Sequence, residues 1–314
     1  MAAMKLLVLG AGGIGGYFGG RLAEAGADVT FLVRPRRRAQ LTRDGLRIES
    51  ALGNLAMPVK TVDAAELRPD YAAVLLACKA YDLDSAMDSI APAMKESCVV
   101  VPTLNGLAHL DRLDARFGAA RVMGGACAIS VALGDNGVIR HNGTRQRIVF
   151  GERDGSTSAR ARAIAEDFAK TSLDWELSND IQLEMWEKIM FLAALAAATC
   201  LFRANIGEIV GTPGGRDAIE RLLRVNQETV TREGHPPRAA TVAWAHKTLT
   251  DPSGLSASML HDIEIGAPIE GDHIVGWLYE RSRKHGLEDK ILELAYVHLK
   301  AYEARRAAGR LPRT

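Results

Sequence analysis

The sequence has few cysteines. Its 314 residues include only Cys78, Cys98, Cys127 and Cys200, which lie far apart in apolar segments and form no C-x-x-C pair. Cysteines in such surroundings are typical of buried, reduced thiols, whereas a structural zinc site needs closely spaced ligands. We therefore predict neither a disulfide framework nor a metal site.

Net charge and long hydrophobic runs are also scarce. The chain carries 39 basic and 38 acidic side chains, a net charge of +1, which gives little field to attract nucleic acid or an anionic membrane. The longest apolar run, residues 189–202, is shorter than the roughly 20 residues that span a bilayer. The opening MAAMK lacks the basic and apolar regions of a signal peptide. We expect a cytoplasmic protein without nucleic-acid or membrane partners.

The sequence does contain enough apolar residues, 47% of the chain, for two folded domains. In the first half, apolar runs alternate with helical patterns, which is typical of a parallel sheet covered by helices on both faces. We predict strands at 6–10, 28–34, 72–78 and 98–106. From about Asn179 onward, helical periodicity dominates. The sequence therefore predicts an α/β domain with a parallel sheet over residues 1–179 and an all-helical domain over residues 180–314.

One later segment of the first domain carries a turn signal. Residues 137–152 contain Asn142-Gly143, a dipeptide that favours two-residue hairpin turns. We predict that this segment forms a hairpin or an antiparallel extension of the sheet.

Glycines cluster directly after the first predicted strand. The sequence GAGGIG fits G-x-G-x-x-G, and it leaves a predicted strand and opens a predicted helix. In this context the glycines permit a tight turn, the approach of a pyrophosphate and close helix–strand packing, while N–H groups at the helix start bind the anion. The alternative is a glycine-rich turn without a ligand. We interpret the first domain as Rossmann-type, with a dinucleotide held by Gly10, Gly12, Gly13, Ile14 and Gly15.

The end of the second predicted strand indicates which dinucleotide is bound. Arg34 lies nineteen residues after Gly15 and is followed by arginines at 36, 37 and 38. NAD sites usually have a carboxylate here that bonds the ribose hydroxyls, whereas a guanidinium pairs with the 2′-phosphate of NADP. We therefore predict NADP(H) as the cofactor, the alternative being a solvated basic loop.

Two further polar residues follow predicted strands. Lys79 comes directly after VLLAC, and Asn105 lies in the TLNG turn. Ligands of open α/β sheets sit outside the carboxyl ends of the strands, so both residues are placed to reach cofactor or substrate. Taken alone, each is equally consistent with a loop side chain in water.

The second half contains a lysine and several carboxylates of interest. Lys188 lies where the helical pattern of residues 184–202 changes from charged to apolar on all sides. Partial desolvation there would lower the lysine pKa and make it a usable proton donor, unless the side chain simply extends to water. Glu264, Glu270 and Asp272 flank a Gly-Ala-Pro turn, and spacing does not choose among them as partners for a lysine or a substrate.

Taken together, these motifs resemble the ketopantoate reductases, also called 2-dehydropantoate 2-reductases, over nearly the whole chain. The shared segments are GAGGIGGYFGGRLAEAGADVTFLVR from Gly10, the CKAYD and TLNG turns, W-x-K at 186–188, and S-M-L-x-D-(x)7-E from Ser258 to Glu270. Each is weak alone, but their order and spacing are specific.

The resemblance implies a Rossmann-type domain and a helical one, with the active site between them, and reduction of the 2-dehydropantoate ketone by NADPH in pantothenate biosynthesis. By position, Lys188 matches the family's general acid and Glu270 its active-site glutamate, which we expect to hold Lys188 oriented and charged. Asn105 matches an asparagine that contacts cofactor and substrate, and Ser258 a substrate-binding serine. Lys79 matches a lysine near the nicotinamide.

The sequence departs from the family on the helix after Lys188. The family usually has asparagines four and eight positions on, contacting substrate hydroxyl and carboxylate groups, where this chain has Leu192 and Ala196 on one helical face. An unpaired buried substrate hydroxyl costs about 1–3 kcal/mol. Unless another residue compensates, the alternative to 2-dehydropantoate is therefore a less hydroxylated 2-oxo acid.

Two further interpretations concern catalysis and assembly. A protein that binds NADP(H) without catalysis is a third interpretation, against which the presence of both Lys188 and Glu270 argues. The apolar residues 189–202 are expected to form the core of the second domain, since helices that are apolar on all sides are usually buried. A homodimer through that helical domain is a hypothesis that the sequence does not settle.

Overall fold

A computed structural model describes residues 4–95 and 97–311, which form two compact units. The first unit runs to Leu104 and resumes from His109 to Gln182. The second comprises Asn105–Ala108 and the chain from Leu183 onward. The short segment Asn105–Ala108 therefore belongs with the helical unit, although it follows a strand of the first.

The first unit is built on a parallel sheet. The strands, in chain order, are β1 (Lys5–Leu9), β2 (Asp28–Leu32), β3 (Leu46–Ser50), β4 (Leu55–Met57), β5 (Lys60–Val62), β6 (Ala73–Leu76), β7 (Val99–Pro102), β8 (Gly124–Leu133), β9 (Val138–Gly151) and β10 (Asp174–Leu177). Five of these strands form the parallel sheet, in the order β5-β2-β1-β6-β7, with every neighbouring pair parallel. The four predicted strands are thus confirmed. Because β1 lies between β2 and β6, the strand order reverses beside β1, where ligands of such sheets bind.

Helices alternate with the strands in the first unit and form the second unit. They are α1 (Gly13–Glu24), α2 (Pro35–Asp44), α3 (Leu83–Ile90), α4 (Ala108–Phe117), α5 (Ala159–Phe168), α6 (Ile181–Phe202), α7 (Ile206–Val210), α8 (Gly215–Arg232), α9 (Ala239–Thr250), α10 (Ser258–Glu264), α11 (Trp277–Lys284) and α12 (Lys290–Ala307). The second unit is helical from α6 to α12, and the predicted fold class, an α/β Rossmann-type domain with an all-helical one after it, is confirmed.

The parallel sheet is buried on both faces. Along β1, Leu6 and Val8 enter one apolar cluster together with Phe18 of α1. Leu7, between them, enters a second cluster on the other face together with Leu83 of α3. Side chains alternate across a strand, so a run that is apolar throughout fills the core on both sides.

A second sheet of the first unit was not predicted. It has the order β10-β9-β3-β4, with β8 also paired to β9. The sequence gives little warning, because β4 has three residues and β3 mixes buried and exposed side chains. Short strands with such patterns are hard to distinguish from loops.

The hairpin expected at Asn142-Gly143 is wrong, although the antiparallel extension is confirmed. Strand β9 continues through these residues, and β8 pairs with it antiparallel on both sides of them. The register shifts there, since Val131 faces His141 whereas Ile129 faces Gln146. The intervening residues form a bulge, in which Gly143 has φ +86°. The dipeptide thus provides the positive φ of a bulge rather than a chain reversal.

Helix α6 is long and apolar enough, by length and composition alone, to cross a membrane. In this protein 72% of its apolar window is buried. Helices of this kind, apolar on all sides and covered by protein, usually form a core. The prediction that residues 189–202 form the core of the helical unit is thus consistent with their burial.

Candidate active site

The glycine loop (residues 10–15) connects β1 to α1. Gly10 has φ +86°, in the left-handed region, and its N–H donates to the carbonyl of Leu32 at 2.9 Å. A Cβ on Gly15 would lie 2.3 Å from the Gly10 carbonyl oxygen, so glycine lets α1 start this close to β1. A Cβ on Gly12 would have no atom of the described residues within 4 Å, and α1 begins at Gly13 without a side-chain cap. The loop therefore offers an open, uncapped helix start, which fits a pyrophosphate.

Lys79 lies at the same edge of the sheet. It follows β6, the neighbour of β1, with an extended backbone and a half-buried side chain. Ala77, two residues earlier, is close to the glycine loop, because a Cβ on Gly15 would lie 3.1 Å from its Cβ. The structure thus brings the Lys79 segment beside the loop.

The arginines after β2 have different surroundings. Arg34 has a side chain that is 77% exposed, and its Nη2 lies 3.3 Å from Oδ1 of Asp82. Arg38 pairs with two carboxylates, Asp63 at 3.0 Å and Glu66 at 2.8 Å. Its charge is therefore compensated within the protein, whereas Arg34 stays accessible to a phosphate with one long contact.

Arg37 turns inward to the glycine loop. Its Nε donates to the carbonyl of Ala11 at 3.0 Å, and its Nη1 donates to Gln40 at 2.6 Å and to the carbonyl of Gly137 at 3.0 Å. Its Nη2 is buried without a hydrogen-bond partner in residues 4–95 and 97–311. Burial lowers the pKa of Arg37, and the charge of Arg47 lowers it further. Sequence reasoning missed this residue, because the run RPRRR does not reveal which member turns inward.

Asn105 lies in a turn that contacts the segment of Glu270. The next residue, Gly106, has φ +82°, and a Cβ there would lie 2.4 Å from the carbonyl oxygen of His273. His273 follows Glu270 by three residues, in a π-helical turn that leads into α11. The close backbone approach at Gly106 therefore holds the Asn105 turn beside the Glu270 segment.

The structure distinguishes the three carboxylates that the sequence left equivalent. Glu264 is exposed, and Asp272 is bound by the hydroxyl of Tyr296 at 2.8 Å and by Lys300 at 2.8 Å. Glu270 alone of the three is buried, with 4% of its surface exposed. The π-helical turn directly after it is a feature that often marks functional sites. Burial thus separates Glu270 from its neighbours.

Lys188 lies on α6 with a buried amino group. Its Nζ has no hydrogen-bond partner within the described part of the chain, residues 4–95 and 97–311. Lys188 therefore makes no hydrogen bond to Glu270 in this structure. A buried ammonium without a partner is unfavourable, so the arrangement suits an oxygen or an anion supplied by a ligand.

The α6 residues beside Lys188 anchor the segment between α8 and α9. Trp186 stacks on His235 with ring centroids 4.6 Å apart, and the buried Glu187 accepts hydrogen bonds from the backbone N–H and Nε of Arg238 at 2.7 and 2.9 Å. Burial raises the pKa of Glu187, but hydrogen bonds from Arg238 and Thr241, together with the charge of Arg238, leave that pKa lowered. No sequence signal links residues fifty positions apart. These contacts fix α6 immediately before Lys188.

The helix face that continues from Lys188 is apolar. Leu192 is half-buried and Ala196 is buried, and Thr199 follows on the same face with its hydroxyl already used. That hydroxyl donates to the carbonyl of Leu195 at 2.7 Å and accepts from the N–H of Ala257 at 3.3 Å. We call Lys188, Leu192, Ala196 and Thr199 the Lys188 face. Its only polar group besides the lysine is thus engaged within the protein.

Ser258 begins α10 directly after that contact. Its side chain is exposed, while Ala257 before it is buried against α6 through the bond to Thr199. The structure thus ties the start of α10 to the helix that carries Lys188.

All four cysteines are free thiols. Cys98, Cys127 and Cys200 are buried, as predicted, whereas Cys78 is half-buried. Burial raises the pKa of Cys98 to about 11 and that of Cys200 to about 12, which keeps these thiols protonated and unreactive. Within the described residues, no three His, Cys, Asp or Glu side chains are placed to hold a metal ion.

Comparison with known proteins identifies the class. The family model described as "Ketopantoate reductase PanE/ApbA" matches residues 6–155, and its C-terminal counterpart matches residues 180–303. The α/β unit with its glycine loop and the helical unit with its buried lysine are both covered by these matches. The protein is an oxidoreductase, and the chain belongs to the ketopantoate reductase family.

Individual relatives are similar over most of the chain. An uncharacterized oxidoreductase, YkpB, of Bacillus subtilis is 39% identical, covering 96% of this chain and 99% of its own. A 2-dehydropantoate 2-reductase of Mesorhizobium japonicum is 30% identical, covering 89% of this chain and 92% of its own. A solved structure of D-mandelate dehydrogenase with NADH and anilino(oxo)acetate has a TM-score of 0.85 at 18% identity, covering 97% of this chain and all of that one.

Proposed function

We propose that this protein reduces the ketone of a 2-oxo acid to the hydroxy acid with NADPH, and that 2-dehydropantoate is the first candidate substrate, which would place the protein in pantothenate biosynthesis. The observation that carries the proposal is the buried, unpartnered Nζ of Lys188 in a chain of this family. Hydride transfer to a carbonyl carbon leaves negative charge on the oxygen, so the reaction needs a nearby cation that can also give a proton.

In this proposal Lys188 is the proton donor. A reduced nicotinamide dinucleotide held by the glycine loop would supply the hydride to the carbonyl carbon, so that the C=O π electrons would move to oxygen. The Lys188 ammonium stabilises the developing alkoxide and protonates it, which gives the hydroxyl and a neutral amine. In this structure the Nζ donates to no described residue, so a substrate oxygen would not have to displace an internal partner.

The neighbouring polar residues are proposed to arrange the site. Asn105 and Glu270 lie on adjacent segments, and we assign Asn105 to cofactor and substrate contact and Glu270 to substrate binding and to keeping Lys188 charged. Ser258, exposed at the start of α10, is assigned to the substrate. The hydrogen bond from Lys188 to Glu270 would then form only in another state of the site.

The cofactor is proposed to be NADP(H) rather than NAD(H). The pyrophosphate would be held by Gly10, Gly12, Gly13, Ile14 and Gly15. The support for a 2′-phosphate is Arg34, which is accessible and has no carboxylate closer than 3.3 Å among the described residues. Lys79 is assigned to the nicotinamide end by the resemblance to the family, and its position after the strand beside β1 is compatible with that role.

A less hydroxylated 2-oxo acid is the second candidate, which the Lys188 face favours. Leu192 and Ala196 have no hydrogen-bonding side chain, and the hydroxyl of Thr199 is already bonded on both sides. A substrate hydroxyl on this face would be left unpaired, whereas an apolar side chain would be accommodated. The similarly folded D-mandelate dehydrogenase, whose structure holds anilino(oxo)acetate, makes an apolar 2-oxo acid a reasonable test compound.

The test is NADPH oxidation with a panel of 2-oxo acids, with NADH in parallel. The panel contains 2-dehydropantoate, its analogue without the hydroxyl (3,3-dimethyl-2-oxobutanoate) and an aromatic 2-oxo acid. We expect turnover with NADPH on at least one of them. Cofactor binding without turnover on any carbonyl compound would contradict the proposal and favour a binding protein.

A homodimer through the helical unit is also proposed. The apolar side chains of 189–202 do not provide its surface, because most of them are buried within the protein. Sedimentation that shows only monomer at micromolar concentration would contradict this proposal.

A further inference from the structure

Arg37 has a charge that no carboxylate of residues 4–95 and 97–311 neutralises. Its acceptors are all uncharged: the carbonyl oxygens of Ala11 and Gly137 and the amide of Gln40. The contrast with Arg38, the next residue, is clear, because Arg38 pairs with two carboxylates. Arg37 is thus singled out from its neighbours by its environment.

The surroundings of Arg37 make this charge unfavourable in the free protein. The guanidinium is half-buried, and its Nη2 is fully covered without a hydrogen-bond partner among the described residues. Arg47 adds like charge, and its Nη2 donates at 2.7 Å to the carbonyl of Asn136, next to the carbonyl of Gly137 that Arg37 bonds. Two guanidinium groups on consecutive carbonyls favour the approach of an anion, since paired charge removes the cost of burial.

Arg37 contacts the glycine loop directly. The Nε–H of Arg37 bonds the carbonyl of Ala11, which lies between Gly10 and Gly12. This bond fixes the Ala11 peptide at the point where the loop turns into α1, whose first N–H groups have no side-chain cap. A dinucleotide pyrophosphate binds at such a helix start.

We propose that Arg37 is a positioning residue for the cofactor: it holds the glycine loop through Ala11 in the conformation that receives the pyrophosphate and adds positive charge behind it. Arg37 acts through the loop and does not have to touch the cofactor. The proposal rests on a nicotinamide dinucleotide binding at this loop, and it is independent of which 2-oxo acid is reduced.

The test is the Kd for NADPH, measured by fluorescence titration of the full-length protein without any 2-oxo acid. We expect Arg37→Ala to raise this Kd by about 10- to 100-fold, because the glycine loop loses its hydrogen bond to a charged group. The conservative Arg37→Lys keeps the charge but not the fork of donors, and should restore part of the affinity. At saturating NADPH and a working substrate, kcat should change less than about twofold, since the loss is in binding.

The matched control is Arg43→Ala, on the same helix. Arg43 is exposed and pairs with Asp44, so its removal should leave the Kd unchanged. A purely structural role of Arg37 would lower the melting temperature and leave the Kd of the folded protein unchanged. That outcome in Arg37→Ala, or in Arg37→Lys where the alanine variant does not fold, would overturn the proposal. Because no 2-oxo acid is present, a failure of the proposed reaction would not affect this measurement.

Discussion

The glycine loop and the Lys188 face differ in whether the backbone or the side chains are expected to bind a ligand. In the loop, we expect the backbone to bind the cofactor, and a Cβ on Gly15 would approach the Gly10 carbonyl oxygen to 2.3 Å. On the Lys188 face, we expect side chains to contact the substrate, and Leu192 and Ala196 stand where the resemblance leads us to expect asparagines. Steric room thus constrains Gly15 most strongly within the loop, whereas the Lys188 face departs from the family by its choice of side chains.

We infer from this difference that cofactor binding and substrate choice depend on different parts of the sequence. A parallel sheet, a glycine loop and an uncapped helix start can form the pyrophosphate site of a dinucleotide whatever compound is reduced. Substrate choice depends on which side chains face the carbonyl compound, and these can change while Lys188 stays. We therefore expect mutations in the loop to affect cofactor binding, and mutations on the Lys188 face to affect chemistry and substrate choice.

The largest effect should come from Lys188→Met. Removing the proposed proton donor should lower kcat by about 10²- to 10⁴-fold, the usual contribution of a positioned acid. The Kd for NADPH should stay within about twofold, since the loss is in the transition state. Steady-state kinetics and fluorescence titration measure the two quantities. Lys247→Met, an exposed lysine on α9, is the control. A Lys188→Met variant that keeps most of its kcat would contradict the assignment.

Two alanine variants of the loop should have different effects, one on NADPH affinity and the other on the stability of the fold. Gly12→Ala adds a methyl group where no described atom lies within 4 Å, so the melting temperature should hold while NADPH affinity falls by about tenfold or more. Gly15→Ala should instead destabilise the fold by about 1–3 kcal/mol, because its Cβ meets the backbone. Thermal unfolding and NADPH titration distinguish them. Equal affinity of Gly12→Ala and the parent would show that no pyrophosphate lies there.

Arg34→Ala should change the choice of cofactor. Losing a charged partner of the 2′-phosphate should raise the KM for NADPH by about 10- to 100-fold. The KM for NADH should stay within about twofold, because NADH has no 2′-phosphate, and NADH thus serves as the internal control. If both KM values rise together, Arg34 supports the loop rather than the phosphate.

The smallest effect is expected on the Lys188 face. Leu192→Asn introduces a hydrogen-bonding side chain four residues after Lys188, and it should improve kcat/KM for 2-dehydropantoate relative to 3,3-dimethyl-2-oxobutanoate by about tenfold. Leu192→Ala is the matched control, since it removes bulk without adding a donor. An equal response of both variants would mean that space, and not hydrogen bonding, controls the preference.

The sequence predicts the parallel sheet and the glycine loop well, because both depend on local patterns. Continuous apolar runs give β1 and β6, and the glycine spacing places the start of α1. The second sheet is missed, since short strands such as β4 find their partners only through tertiary contacts. Asn142-Gly143 is misread for a related reason, because pairing with β8 on both sides turns a hairpin signal into a bulge.

The resemblance proposes residues for the site, but it does not show how they are arranged. The resemblance names Lys188 and Glu270, yet it does not show that the lysine amino group is buried without a hydrogen-bond partner among the described residues. Likewise, the run RPRRR indicates local positive charge, but only the fold shows that Arg37 donates a hydrogen bond to the glycine loop while Arg34 stays exposed. Orientation of long side chains is decided by neighbours distant in sequence, which local patterns do not record.

The most direct test of this account is the ratio of kcat/KM for 2-dehydropantoate to kcat/KM for 3,3-dimethyl-2-oxobutanoate, measured with NADPH on the unmodified protein. The two compounds differ by one hydroxyl group. A site built to bond that hydroxyl rejects the analogue by about 10⁴- to 10⁵-fold. Because the Lys188 face offers it no hydrogen bond, we predict turnover of both compounds with a ratio below about tenfold. A ratio of about 10³ or more would contradict our interpretation of the Lys188 face, leave 2-dehydropantoate as the only candidate of the two, and show that other residues recognise the hydroxyl.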